Sequence, residues 1–328
     1  MNDVIHPVSN ELFTSWLYRQ GALPTIADWP INNLLEIYQS SMQYSDFDPD
    51  FYLPSGFSSR ALARLGMTGS DLSVFAPKSS WLIPRFYRGA FCYECFCDHI
   101  RSFKLPTMLT EWCSVVQTVC PIHAAPLFDT PGKQGYKLNM AVKLFSSYHA
   151  QPSAVAFPHS TLTPKLAGAL LTLQAFMSSI EINASRGGDD AEWRLIQTLM
   201  RIFLYPRFGI IASLFPKQSI GTDAQLFRYN FHLGPLIGSV VRRQLAVLLT
   251  GLILDVLEER ERLEAEHYLQ SFDRRYYFFD SAAGLGLSAN VFTPEHGRQL
   301  FVQLTQLSTK IYSPYLAEFI EAFGGRDR

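Results

Sequence analysis

All five cysteines of this 328-residue chain fall between positions 92 and 120, with none elsewhere. A disulfide framework would spread its pairs across the fold, so an odd number confined to one stretch points to free thiols in a reducing setting. Four ligand-type residues there form two spaced pairs, Cys92-Tyr93-Glu94-Cys95 and Cys120-Pro121-Ile122-His123. Two residues between ligands let one tight turn aim both side chains at a single ion, and two such pairs complete the tetrahedron that zinc accepts. With Cys92, Cys95, Cys120 and His123 all protein ligands, no position is left for water, so the expected Zn2+ is structural rather than catalytic. Cys97 and His99 lie close enough to substitute for a ligand, whereas Cys113, beside Trp112, reads as a small core residue.

The chain is long enough for two domains of ordinary size. Hydrophobic residues make up 48% and charged ones 17%, ample apolar surface for burial. The formal charge is −1, which excludes the global positive field that drives non-specific nucleic-acid binding and confines any DNA contact to a local patch. Arg60 and Arg64 lie in a helical stretch before the cysteines. Arg85 and Arg88 flank the first pair, and Arg101 and Lys104 follow it; these six are the candidate phosphate contacts. The most apolar run, Leu245 to Leu254, is too short to cross a bilayer and reads as a buried helix. The opening residues Met1 to His6 carry no export signal, so a cytoplasmic protein without a membrane partner is expected.

The expected fold is mainly α: an N-terminal domain over 1–133 with a helix-turn-helix-like segment and the zinc finger, a breaker-rich linker over 134–160, and a helical C-terminal domain over 161–328. Phe13, Trp16 and Leu17 recur at helical spacing, and a second helix is expected from Ile31 to Met42. Ser58 to Phe75 reads as two short helices around Gly66, which suits a left-handed C-cap, with Thr68 and Asp71 approximating a capping box. The second of them carries no Arg or Lys for base reading. The acidic loop Asp46 to Asp50 reads as a solvated turn. Thr163-Pro164, Thr293-Pro294 and Ser313-Pro314 mark helix starts. Further helices are expected from Asp190 to Phe203 and from Pro235 to about Glu266, the latter broken near Gly251.

No GxSxG, HExxH or phosphate loop is present, and neither an enzyme nor a small-molecule substrate is expected. Asp189, Asp190 and Glu192 stand where a helix begins and are explained by its dipole. Asp273 to Phe279 mixes basic and aromatic residues and reads as a core or protein-contact segment, with base stacking as the other possibility. Glu258 to Glu266 reads as a solvated helix face with internal charge pairs. His149, His232 and His267 read as structural.

Three motifs in order resemble those of the TniQ/TnsD family of transposition target-selection proteins. Glu11-Leu12-Phe13-Thr14-Ser15-Trp16-Leu17-Tyr18-Arg19 is similar to that family's ESxxSWLxR signature. Leu62 to Met67, continuing through Leu72, resembles the helical segment the family places before its finger. Phe91 to Phe96, a central Trp112, and Val119 to Leu127 look like the finger itself, with its CPxC and CPxHxxxL elements. Leu12 replaces a usual serine and Tyr93 a usual proline, and the cysteine often found after the CPxH segment is missing; every proposed ligand is kept. The resemblance covers roughly residues 8 to 130. It implies a bacterial, non-enzymatic adaptor that links a CRISPR Cascade complex, with its crRNA or target DNA, to an AAA+ transposition ATPase, and whose relatives associate as dimers. Near-neutral charge favours that role over direct recognition of an attachment site by a DNA-binding selector of a multi-protein cut-and-paste transposon. A zinc-stabilised regulator outside transposition is the third reading.

Overall fold

The computed structural model describes residues 6–21, 48, 50–51, 56–67, 69–103, 106–129, 162–206, 209–215, 227–272 and 281–325. Regular structure among them is helical, with isolated β-bridges in place of strands. The chain divides into two compact units. One comprises 1–80, 84–114 and 127–156, the other 81–83, 115–126 and 157–328. The linker expected over 134–160, the helix expected from Ile31 to Met42, Asp46, His149 and the segment Asp273 to Phe279 lie outside the described residues.

The first unit contains α1 (Phe13–Gly21), α2 (Gly56–Arg64) and α3 (Tyr93–Phe103), with 3-10 helices Gly69–Phe75 and Arg85–Tyr87 between α2 and α3 and Thr110–Cys113 after α3. The helical spacing of Phe13, Trp16 and Leu17 has its consequence in packing: all three are buried against Phe57, Ala61, Leu62, Leu72 and Phe75. The rings of Phe13 and Phe75 meet edge to face at 5.2 Å, an arrangement aromatic quadrupoles favour. After α2 the chain reverses at Gly66, with φ +70°. Met67 N–H donates to the Leu62 carbonyl at 2.9 Å and Gly66 N–H to Ala63 at 3.1 Å, the paired bonds of a Schellman ending. The next element is a 3-10 helix, Gly69–Phe75, rather than a second α-helix, and it directs Leu72 and Phe75 into the core. The Thr68 cap lies outside the described residues.

Two buried ion clusters hold this unit. Glu11, Ser15 and Arg19 are spaced one helical turn apart and are fully buried. Glu11 accepts from Arg19 Nε at 2.8 Å and Nη2 at 2.5 Å, from Ser15 Oγ at 3.0 Å and from Val8 N–H at 3.0 Å. Ser15 Oγ accepts in turn from Met108 N–H at 3.0 Å. Of the acidic loop, Asp50 departs from the expectation of a solvated turn: it is 5% exposed, its Oδ1 accepts from Thr14 N–H at 2.8 Å, and it faces Arg88 at 3.4 Å. It supplies the acceptor that the first turn of α1 lacks locally. Burial pushes the Asp50 carboxyl above its ordinary range, against the attraction of Arg88.

In the second unit, Thr163, Thr293 and Ser313 cap α4 (Pro164–Ser185), α11 (Pro294–Leu307) and α12 (Pro314–Gly324) as the sequence predicts, each side-chain oxygen accepting a backbone N–H of the first turn. Between them run α5 (Ala191–Phe203), α6 (Ile210–Leu214), α7 (Phe227–Ile237), α8 (Val240–Ile253), α9 (Glu259–Phe272) and α10 (Ala282–Ala289). Helix α8 is buried nearly all round, as expected of a central helix, and packs against α4, α5, α9 and α12.

The expected helix from Pro235 to about Glu266 is three helices. Pro235 lies inside α7, the first break is capped by Ser239, and the second follows Leu254, with Asp255 at φ 56°. Gly251 does not break α8: a Cβ there would lie 2.3 Å from Leu173 Cδ2, so glycine admits the side chain of α4. The charged face of α9 likewise pairs outward rather than internally, Glu264 with Lys165 at 3.0 Å and Glu261 with the Thr172 hydroxyl at 3.2 Å. No single described helix is long and apolar enough to cross a membrane. Helices α7 and α8 pass that test only together, and they are bent by 105°.

Candidate metal centre

The first ligand pair is set by a helix start. Phe91 exchanges two backbone hydrogen bonds with Phe128, at 3.0 and 2.7 Å, which fixes the chain entering α3. Cys92 precedes the helix and Cys95 lies in its first turn, with Phe96 N–H donating to the Cys92 carbonyl at 3.1 Å. A spacing of three at a helix start places both sulfurs on one side. Phe91 stacks on Phe96 at 4.7 Å, and Phe96 meets Trp112 at 5.6 Å, an apolar wall behind the thiols.

The second pair is set by a tight turn. Cys120 N–H donates to the Ala125 carbonyl at 2.8 Å, and Ala124 N–H donates back to Cys120 at 2.9 Å. Ala124 closes the turn with φ 48°. Cys120 Sγ lies 3.7 Å from His123 Nδ1, near the roughly 3.5 Å separation expected of a thiolate and an imidazole on one tetrahedral zinc.

Ligand atoms of Cys92, Cys95, Cys120 and His123 all lie within 4.8 Å of one another. The three cysteines are buried and in no disulfide. Three enclosed thiols around an imidazole form a donor set that suits Zn2+ in softness, number and spacing. No family model, curated protein or solved structure matches this chain. The assignment of the centre therefore rests on its own geometry.

Neighbouring candidates have other occupations. His99 Nδ1 is 3.1 Å from the Thr107 carbonyl, and neither His99 nor Cys97 belongs to the cluster. Cys113 is buried beside Trp112, its thiol directed to the Leu109 carbonyl at 3.9 Å. Asp189 and Asp190 stand at the start of α5, where Asp189 accepts from Ala191 N–H at 3.0 Å and Asp190 pairs with Arg194 at 3.2 Å; Asp189 also meets Lys310.

The described members of the six basic residues proposed for phosphate contact stand in different surroundings. Arg88 is 8% exposed; it is held by Asp48 and Asp50 and lies 4.2 Å from the centre of the Phe51 ring. This corrects its assignment, because a guanidinium engaged by two carboxylates and an aromatic face is withdrawn from an incoming phosphate. Arg60 is exposed and donates to the Gly56 carbonyl at 3.0 Å. Arg101 is exposed and paired with Asp98. Arg85 is half-buried in a short 3-10 turn. The Arg64 side chain and Lys104 lie outside the described residues.

The residues that sequence reasoning missed are Gln174, Arg243 and Gln244, buried polar side chains of α4 and α8 that bind the backbone leading into Cys120. Their signal in the sequence is slight: a lone glutamine in an apolar helix, and an Arg-Arg-Gln step before an apolar run.

Proposed function

We propose that this chain is a non-catalytic transposition target-selection adaptor, built around a structural zinc site, that links a CRISPR-RNA-guided DNA-recognition complex to an AAA+ transposition regulator. The observation that carries the zinc assignment is the convergence of Cys92, Cys95, Cys120 and His123. Zinc held there would supply a cross-link with no open coordination position. Cys92, Cys95 and Cys120 would hold it as thiolates and His123 through its imidazole.

The adaptor role rests on the resemblance to the TniQ/TnsD family, and two features support it. The N-terminal signature and the finger segment, some 90 residues apart, are hydrogen-bonded to each other: Leu12 N–H donates to Met108 at 2.9 Å, Thr110 N–H donates to Asn10 at 2.7 Å, and Ser15 receives Met108 N–H. The N-terminal signature, the helical segment and the first half of the finger thus belong to one compact unit, while 115–126, with the second ligand pair, groups with the other. Burial of Arg88 also reduces the basic surface beside the finger, which together with a net charge of −1 favours a protein-held adaptor over a direct DNA reader.

Co-purification of the tagged chain with the products of its neighbouring genes tests this reading. Recovery of crRNA and Cascade subunits together with an AAA+ ATPase is the expected result. Recovery of the ATPase with neither RNA nor Cascade would replace the adaptor by a direct attachment-site binder. Recovery of none of them would leave a zinc-stabilised regulator outside transposition.

A further inference from the structure

Buried backbone polar groups must be paired. The segment 115–120 lies outside any helix and leads directly into the second ligand pair; Val115, Val116, Thr118, Val119 and Cys120 are each at most 1% exposed. Backbone carbonyls of Trp81 and Ala125 receive the N–H groups at its two ends, Val115 and Cys120, at 3.0 and 2.8 Å; helices packed around it have used their own interior N–H and C=O groups on themselves, so side chains satisfy the groups between.

Gln174 of α4 does so in the manner of a neighbouring strand. Its Oε1 accepts from Thr118 N–H at 2.7 Å, Val119 N–H at 2.8 Å and the Thr118 hydroxyl at 3.0 Å, while its Nε2 donates to the Val119 carbonyl at 3.1 Å. Arg243 of α8 donates through Nη1 to the carbonyls of Val115 and Gln117, at 3.0 and 3.1 Å, and through Nε to Gly238 at 3.2 Å. Gln244 donates to the Thr118 carbonyl at 3.3 Å. The three side chains are 4%, 1% and 0% exposed, and burying them is costly unless they are bonded. Their placement in apolar helices is explained by the backbone they serve.

We propose that Gln174 and Arg243 are positioning residues for the metal half-site, holding the backbone up to Val119 so that the turn carrying Cys120 and His123 is preset for a metal ion. The consequence for metal rests on the zinc reading above; the positioning itself does not. Partners that orient a metal ligand without touching the ion typically control affinity by roughly 10–100-fold.

The test compares full-length Gln174→Leu, Gln174→Glu and Ser313→Ala with the wild type, by zinc affinity from chelator competition and by amide exchange at Thr118 and Val119. Gln174→Leu is expected to weaken zinc by at least about tenfold and to speed both amides. Gln174→Glu keeps the acceptor for three donors but loses the donor to the Val119 carbonyl and buries a carboxylate against it, so it is expected to shift both readouts in the same direction as Gln174→Leu. Ser313→Ala weakens a cap in the same unit, whose bonds go to Leu316 and Ile253, and moves neither readout selectively. Should Gln174→Leu not fold, Gln174→Asn, one methylene short of Val119, is expected to shift both readouts the same way by less. Equal effects of the Gln174 and Ser313 variants, or unchanged exchange at Thr118 and Val119, would overturn the proposal. If the wild type binds no zinc while exchange still responds selectively, the metal assignment fails and the positioning role stands.

Discussion

Replacing Glu11 by Ala removes one half of a buried ion pair and leaves the other in place. The carboxylate receives four hydrogen bonds, two of them from Arg19, and both side chains are 0% exposed. After the change Arg19 keeps its bond to the His6 carbonyl at 3.1 Å but loses the carboxylate that both its Nε and Nη2 meet. Leaving a buried charge uncompensated costs about 3–5 kcal/mol, against a total of roughly 5–15 kcal/mol for a typical domain. Urea unfolding followed by circular dichroism, with amide exchange within α1 to report the first unit alone, reads that loss. The paired change Glu11→Leu with Arg19→Leu removes both charges and should recover most of it, because apolar replacement of a whole buried pair is often close to neutral. A loss below about 1 kcal/mol for Glu11→Ala, the range of solvent-exposed pairs, would refute the reasoning.

Two further outcomes follow from packing and burial. Asp50 has its carboxyl raised by burial, so its contribution to stability is present below the unfolded value and lost as pH rises through the folded one. Asp50→Asn does not titrate, and its stability relative to wild type should therefore increase as pH is raised from about 4 towards neutrality; a relative decrease across a pH series of melting curves would mean that attraction to Arg88 dominates. Gly251→Ala forces a methyl to within 2.3 Å of the Leu173 side chain and should cost about 1–3 kcal/mol of overpacking, measured by urea unfolding, and an unchanged midpoint would show that Leu173 moves aside freely.

The Cys/His cluster and many helix starts were legible because their determinants are local. A spacing of two between ligands is a property of one turn, and Thr163, Thr293 and Ser313 cap N–H groups only three residues away. What escaped the sequence depends on partners remote in the chain. Arg88 reads as a basic flank until Asp48 and Asp50 meet it, and the acidic loop reads as solvated for the same reason. Gly251 reads as a breaker until Leu173 occupies its missing side chain. Nothing in the composition of 115–126 indicates that it groups with the C-terminal helices; that follows from bonds to Gln174, Arg243 and Gln244, more than fifty residues away. Pro235 inside α7 shows packing outweighing a local preference.

The most direct test of the metal assignment is the metal content of the full chain purified without added metal or chelator, by elemental analysis alongside native mass spectrometry. The geometry predicts one zinc ion per chain, retained in Cys97→Ala and Cys113→Ala and lost in Cys120→Ala and His123→Ala. A wild-type protein that folds and contains no zinc would contradict it.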